Sequence, residues 1–252
     1  MNRMALILSV AALAVLITAA AHSASDYEMP LSGAARATLV EGDVRLVGGS
    51  RDVVLPQGGE VRAPSTVKVG KGGRLELTLP EGSAVRFDSD TEFTLVQAAA
   101  SRTNRQVQVD VAMGDCWASV QDILGEDAGG EFEVNSPTAV AGVAGTVYRL
   151  HVDASQNARY LVYDGKIKVQ RRWRPEGYEA SGPVHEVDGP EVVPGPREVS
   201  PQEWMRIVSS GYEFNIRADG RYDAPEPFNL RQDAQNPWVQ WNMARDRLLG
   251  LQ

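Results

Sequence analysis

Between residues 37 and 170, apolar and polar side chains alternate with a period of two. Leu75, Leu77 and Leu79 alternate with Arg74, Glu76 and Thr78, and Val85 and Phe87 alternate with Arg86 and Asp88. The pattern recurs through Val107, Val109, Val111 and Met113, through Phe132 and Val134, through Tyr148, Leu150 and Val152, and through Ile167 and Val169. An extended chain sends successive side chains to opposite faces, so each run predicts a short strand with one buried face and one face in water. On this parity Phe87, Phe93, Phe132 and Tyr148 are core residues, and Glu76 and Arg86 face solvent. Turn signals separate the runs: Gly48-Gly49, Gly58-Gly59, Gly72-Gly73, Pro80-Glu81-Gly82-Ser83, Gly129-Gly130 and Asp164-Gly165. Many short strands at this spacing predict an all-β domain over 37–170, built as a β-sandwich or a short β-solenoid.

The pattern then changes. Residues 171–200 are rich in Pro and Gly, from Pro175 to Pro196, and read as an extended connector with some apolar grip from Val184, Val187, Val192, Val193 and Val199. Two small helices are predicted within a C-terminal extension, 201–252. For the first, Ser200 is a cap residue, Pro201 sits at the first helical position and Glu203 at the capping-box position. Trp204, Ile207 and Val208 form its stripe and Gly211 its stop. The second starts at Asn236-Pro237, carries Trp238, Trp241, Leu248 and Leu249 on one face, and ends at Gly250.

The amino terminus follows a different rule. Arg3 precedes an apolar run from Met4 to Ala21, and small residues then lead into Ser25 and Asp26. That is the layout of a secretory signal peptide, residues 1–25, with Ala21-His22-Ser23 presenting small residues to a peptidase. The expectation is a periplasmic or secreted protein, or one held by an N-terminal inner-membrane anchor if the run is not cleaved. No Cys follows the run, which excludes a lipoprotein anchor, and no later stretch has the length of a transmembrane helix.

Composition narrows the function classes. A chain of 252 residues with 43% apolar content supports one sizeable core plus accessory pieces. The formal charge is −8, and loss of Arg3 with the leader leaves 24 basic against 33 acidic residues, or −9. That balance repels phosphate backbones, so nucleic acid is not an expected partner. The lone Cys116 shares parity with Ala118 and Val120 and reads as a small core residue. His151 lies at polar parity, and His22 and His185 fall in the leader and the connector. Gly142-Val143-Ala144-Gly145-Thr146 lacks the Lys of a phosphate-binding loop. Asp88-Ser89-Asp90 with Glu92 lacks the Gly and distal Glu of a calcium loop. No catalytic constellation, metal site or cofactor is expected, and the chain is read as non-enzymatic.

The stretch from Val40 to Val169 resembles the periplasmic domain of the FecR family. Val40-Glu41-Gly42-Asp43-Val44 opens it, followed by the glycine turns. Gly72-Gly73-Arg74-Leu75-Glu76-Leu77, with Glu81-Gly82-Ser83 after it, is similar to the family's "GGRAEL…DGS" segment. Phe132-Glu133-Val134-Asn135-Ser136-Pro137 through Gly142-Val143-Ala144-Gly145-Thr146 is similar to its "f.V.TP.AvagVRGT" segment, and Val162-Tyr163-Asp164-Gly165-Lys166-Ile167-Lys168-Val169 to "V.eG.V.V". Gly142 and Gly145 suit a tight bend without room for a side chain. Ala144 stands where the family carries Arg, so any contact made by that Arg is missing.

The resemblance implies a protein-binding domain, since the family's periplasmic part receives a signal by protein contact at the envelope. Only three residues precede the apolar run, so a cytoplasmic sigma-binding domain of the FecR kind is not expected, and a standalone exported form is the better match. An envelope protein is the expected partner, with Trp204, Trp238 and Trp241 as candidate contact residues. The same tryptophans equally suit packing of both helices onto the β-domain. Two further readings stay open: a cell-wall or carbohydrate-binding module, and a purely structural envelope component. Sugar binding is disfavoured by the apolar parity of the strand aromatics.

Overall fold

The computed structural model describes residues 33–100, 104–122, 129–172 and 205–251. Alternation becomes strand nearly throughout, and the chain is all-β with two small C-terminal helices. In order the strands are β1 (Ala34–Glu41), β2 (Val44–Val47), β3 (Val53–Val54), β4 (Glu60–Arg62), β5 (Ser65–Val69), β6 (Arg74–Thr78), β7 (Ala84–Phe87), β8 (Thr91–Ala100) and β9 (Asn104–Val120). They continue as β10 (Gly129–Asn135), β11 (Ala139–Val143), β12 (Thr146–Val152), β13 (Ala158–Asp164), β14 (Lys166–Arg171), β15 (Met205–Ser209), β16 (Tyr212–Ile216) and β17 (Glu226–Pro227), followed by α1 (Leu230–Asp233) and α2 (Pro237–Leu249).

The strands form two layers joined by β9. The first sheet runs β4-β1-β6-β7-β9-β12-β13-β16-β17 and uses the second half of β9. The second runs β3-β2-β5-β8-β9-β10-β11-β14-β15 and uses its first half. Neighbours are antiparallel except β9 and β10, which pair in parallel with Phe132 beside Val107. The inward faces meet in one core: Phe87 of the first sheet stacks on Phe93 of the second at a centroid distance of 3.5 Å, and Phe132, Tyr148 and Cys116 are buried with them. Of the two architectures the alternation allowed, this is the sandwich.

Gly114 is where β9 changes sheets. Its partner before the change is in β8 and after it in β12. Its φ is +104°, and a Cβ there would lie 2.3 Å from Thr91 Oγ1 and 2.6 Å from Thr91 Cα. Only glycine lets the strand bend against the β8 backbone at this point. Gly145 also bends as expected, with φ +54° and Asp122 Cβ 2.9 Å from a built Cβ. Gly142 does not: it lies within β11, opposite Lys168, and a Cβ there would meet nothing within 4 Å.

One predicted helix is replaced. Met205–Ser209 is strand β15, with Val208 opposite Ile167 of β14. Gly211, at φ +82°, turns the chain into β16, which pairs with β13. Ile207 and Val208 are β-branched, and Val208 gains a fully buried place beside Ile167, which outweighs the local capping signal. The two helices come later instead, at α1 and α2. The predicted connector begins at 171, but Arg171 is the last residue of β14; its remainder from 173 to 200, Trp204 and the amino-terminal leader lie outside the described residues.

Candidate interaction surface

Helix α2 forms for local reasons the sequence displays. The Asn236 side chain accepts from the Trp238 amide, Pro237 occupies the first turn, and Gly250, at φ +67°, closes the C-terminus with its own N–H on Arg247 O and the next amide on Asp246 O. The face it buries is not the expected one. Trp238, Val239, Asn242 and Asp246 point inward, whereas Leu248 and Leu249 are 72% and 44% exposed.

The inward face lies on the outer side of the first sheet, where β6, β7, β9 and β12 present the side chains opposite in parity to the core. Glu76 and Arg86 were expected in water; both are completely buried. Arg86 Nε donates to Glu76 Oε2 at 2.7 Å and Arg86 Nη1 to Asp246 Oδ1 at 2.6 Å. Asp246 also accepts from Ser119 Oγ at 2.7 Å and from Trp117 Nε1 at 3.0 Å. Arg245 closes the circuit on Glu76, with Nη2 2.6 Å from Oε1 and Nε 3.1 Å from Oε2, and Thr38 Oγ1 donates to the same Oε1 at 2.8 Å. Two carboxylates thus face two guanidiniums. A buried charge left alone is costly, and this arrangement neutralises each one within hydrogen-bonding distance. Burial by itself would raise the Glu76 carboxyl, but hydrogen bonds from Arg245, Arg86 and Thr38 outweigh it and hold the group below its ordinary range.

An apolar patch flanks the charges. Trp238 and Val239 pack on Trp117 and Val147, with Tyr163, Trp241 and Met243 at the margin. Trp238 and Trp241 stack at 5.3 Å, and the Arg74 guanidinium lies over both rings, 5.7 and 5.0 Å from their centroids. Helix α1 is tied nearby: Asp233 accepts from Arg149 Nη2 at 3.1 Å and from the Tyr163 hydroxyl.

Of the three candidate tryptophans, Trp238 is thus an anchor of the helix on its own sheet, Trp241 is half-buried beside it, and Trp204 lies outside the described residues. Trp117, Glu76, Arg86 and Asp246 escaped sequence reading. The available signal was a Glu, an Arg and a Trp at one parity on strands that neighbour each other, together with an Asp eight residues after Trp238 on one helix. The remaining polar candidates have structural partners: Asp88 pairs with Arg74, Glu92 with Lys68, and Ser89 Oγ accepts from the Gly72 amide. His151, half-buried, meets Asp115 at 2.9 Å. Cys116 is buried in the core, where burial raises its thiol far above the ordinary range.

What remains open to a partner is the outer side. Leu248 and Leu249 protrude at the end of α2, and Val53, Val54 and Ile207 are exposed elsewhere on the body. Among the described residues no helix is long and apolar enough to cross a membrane.

Residues 65–168 match the family model described as FecR protein, and the stretch holds the strands β6, β7, β9 and β12 that carry the floor under α2. Two crystal structures of a candidate anti-sigma factor from Parabacteroides distasonis ATCC 8503, at 1.65 and 2.50 Å resolution, are similar at 15% identity with a TM-score of 0.45. The similarity covers 69% of this chain and 64% of that one, so this chain spans under two thirds of that protein. No curated protein matches the chain.

Proposed function

We propose that this chain is an exported, non-enzymatic protein-interaction or sensing module of the bacterial cell envelope. The FecR match over 65–168 supports a regulatory or sensing role, and the apolar run Met4–Ala21 supports export. The observation that carries the contact reading is the construction of α2. Three of its polar side chains, Asn242, Arg245 and Asp246, are turned onto the sheet, and Leu248 and Leu249 at its end are exposed. Leucines 248 and 249 side by side on a rigid, capped helix offer a partner an ordered apolar contact. The strand aromatics Phe87, Phe93, Phe132 and Tyr148 are buried, so they supply no platform for a sugar ring.

The test is recovery from solubilised envelope of the producing bacterium on immobilised mature protein, beside the double variant Leu248→Asp/Leu249→Asp. Both positions are exposed, so the variant keeps the fold. Specific capture of an envelope protein by the natural chain, lost in the variant, supports the reading. Equal capture by both removes the helix tip from it, and enrichment of peptidoglycan fragments alone transfers the assignment to a cell-wall module.

A further inference from the structure

The floor beneath α2 is a receptor with a ligand already in place. It offers one carboxylate three donors, Arg86 Nη1, Trp117 Nε1 and Ser119 Oγ, and it offers one guanidinium the Glu76 carboxylate. Asp246 and Arg245, consecutive on α2, fill the two places, and Trp238 two turns earlier fills the apolar one. The contacts combine charge with an apolar fit.

Part of the floor's bonding is its own and does not depend on the arm. Arg86 and Glu76 remain paired with each other at 2.7 Å, Glu76 keeps Thr38, and Trp117 Nε1 keeps Ser119 Oγ at 3.0 Å. Of the sheet's charges only Arg149 loses its partner, Asp233 of α1, when the arm leaves, and the same departure opens it to water. The bond that holds the helix is also the kind whose net worth is small: ion pairs brought out of water recover much of their Coulombic gain as desolvation cost. The chain leading to the arm, Asp223–Phe228, contains Pro225 and Pro227 and is largely exposed, and its strand β17 is only two residues long.

We propose that the outer face of the first sheet is an exchangeable helix-docking site, whose second occupant is the C-terminal arm, residues 229–251, of another copy of this chain. The fit of that occupant is guaranteed by identity: Arg245 and Asp246 of one copy complement Glu76 and Arg86 of the next as they do their own. The result is a reciprocal arm-exchanged dimer in which each docking site is completed by the partner copy. Exchange buries the same groups as the closed monomer, so concentration and hinge strain decide between the two forms. The inference stands apart from the leucine tip: Leu248→Asp/Leu249→Asp leaves exchange intact, and either idea can fail alone.

Two measurements on the full chain test it. Isotopically light and heavy protein, mixed at high concentration, give mixed dimers by native mass spectrometry. A fluorescent peptide of residues 229–251 binds the full chain saturably, and binds Arg245→Ala full chain, whose own arm is loosened, more tightly. The peptide carrying Asp246→Asn binds at least about tenfold more weakly, from loss of a hydrogen bond to a charged group. Because that change is in the peptide, the folding of the protein is untouched. Absence of mixed dimers, or peptide binding indifferent to Asp246→Asn, overturns the proposal.

Discussion

Replacing Asp246 by Ala separates two accounts of what the buried charges do. Asp246 is fully buried and accepts from Arg86, Trp117 and Ser119. Removing one partner of a buried ion pair costs about 3–5 kcal/mol when the other charge must stay buried. Here it need not stay buried, because the lid over Arg86 is α2 itself. The apolar anchor is modest: full burial of a Val-sized side chain contributes roughly 1.5–3 kcal/mol, and Trp238 and Val239 must also offset the ordering of a terminal helix. The Arg245–Glu76 pair also remains, but the net worth of such a pair is small after desolvation, so the loss exceeds what holds the helix, and α2 detaches while Arg86 regains water and keeps Glu76. Amide hydrogen exchange reads this directly. In Asp246→Ala the protection of α2 falls by two orders of magnitude or more, or to the level of a free helix, since every 1.4 kcal/mol is tenfold. Protection in β6, β7 and β9 is retained. Unchanged protection of α2 would refute the reasoning, and so would collapse of the sheet together with the helix.

Three further outcomes follow from particular residues. Gly114→Ala, which sets a methyl group against the Thr91 backbone at a positive φ, destabilises the fold by more than about 2 kcal/mol in urea unfolding; a cost under about 0.5 kcal/mol would mean that β9 changes sheets without a tight contact. Burial pushes the Glu81 carboxyl up, against the pull of its own backbone amide, Ser83 and Arg105. The folded state then binds the proton more tightly than the unfolded chain, so Glu81 lowers stability as pH rises from the ordinary value of 4.5 through the folded one. Glu81→Gln is accordingly more stable than the natural chain at pH 7 and no more stable below pH 4.5; a gain of equal size at both would point to packing instead. The hydrogen bond that His151 donates to Asp115 raises the imidazole above its ordinary 6.5 against the opposing effect of burial, so its NMR titration midpoint lies above that value and drops in Asp115→Asn. The pair's stabilisation is present below pH 6.5 and lost as pH rises through the folded midpoint, and a midpoint unmoved by the substitution contradicts the contact.

The strands were legible because a period of two is a local property: each residue's parity is fixed by its neighbours, and Leu75, Phe87 and Val109 needed no distant information. Parity also named the other face, but not what covers it. Glu76 and Arg86 looked solvated because the helix that buries them lies 160 residues beyond Arg86 in sequence. The ends of α2 were legible from Asn236, Pro237 and Gly250, since caps are local too. Its buried face was not, because an amphipathic stripe assumes an apolar floor, and this floor is a Glu–Arg pair with a tryptophan N–H. The first predicted helix shows the same division: its described part, from Met205 on, is strand because Val208 pairs with Ile167, a partner that only the folded sheet supplies. Gly114 could be noticed as a glycine inside a long alternating run, yet its role needed the approach of Thr91.

The central claim is that this chain works by contacting an envelope protein through the outward end of α2. A photoreactive amino acid at position 248, in cells producing the full chain, tests it most directly, with the same group at exposed Asp219 as control. The account predicts a discrete adduct with one envelope protein from position 248 and none from 219. No adduct from 248, or the same diffuse adducts from both positions, would contradict it.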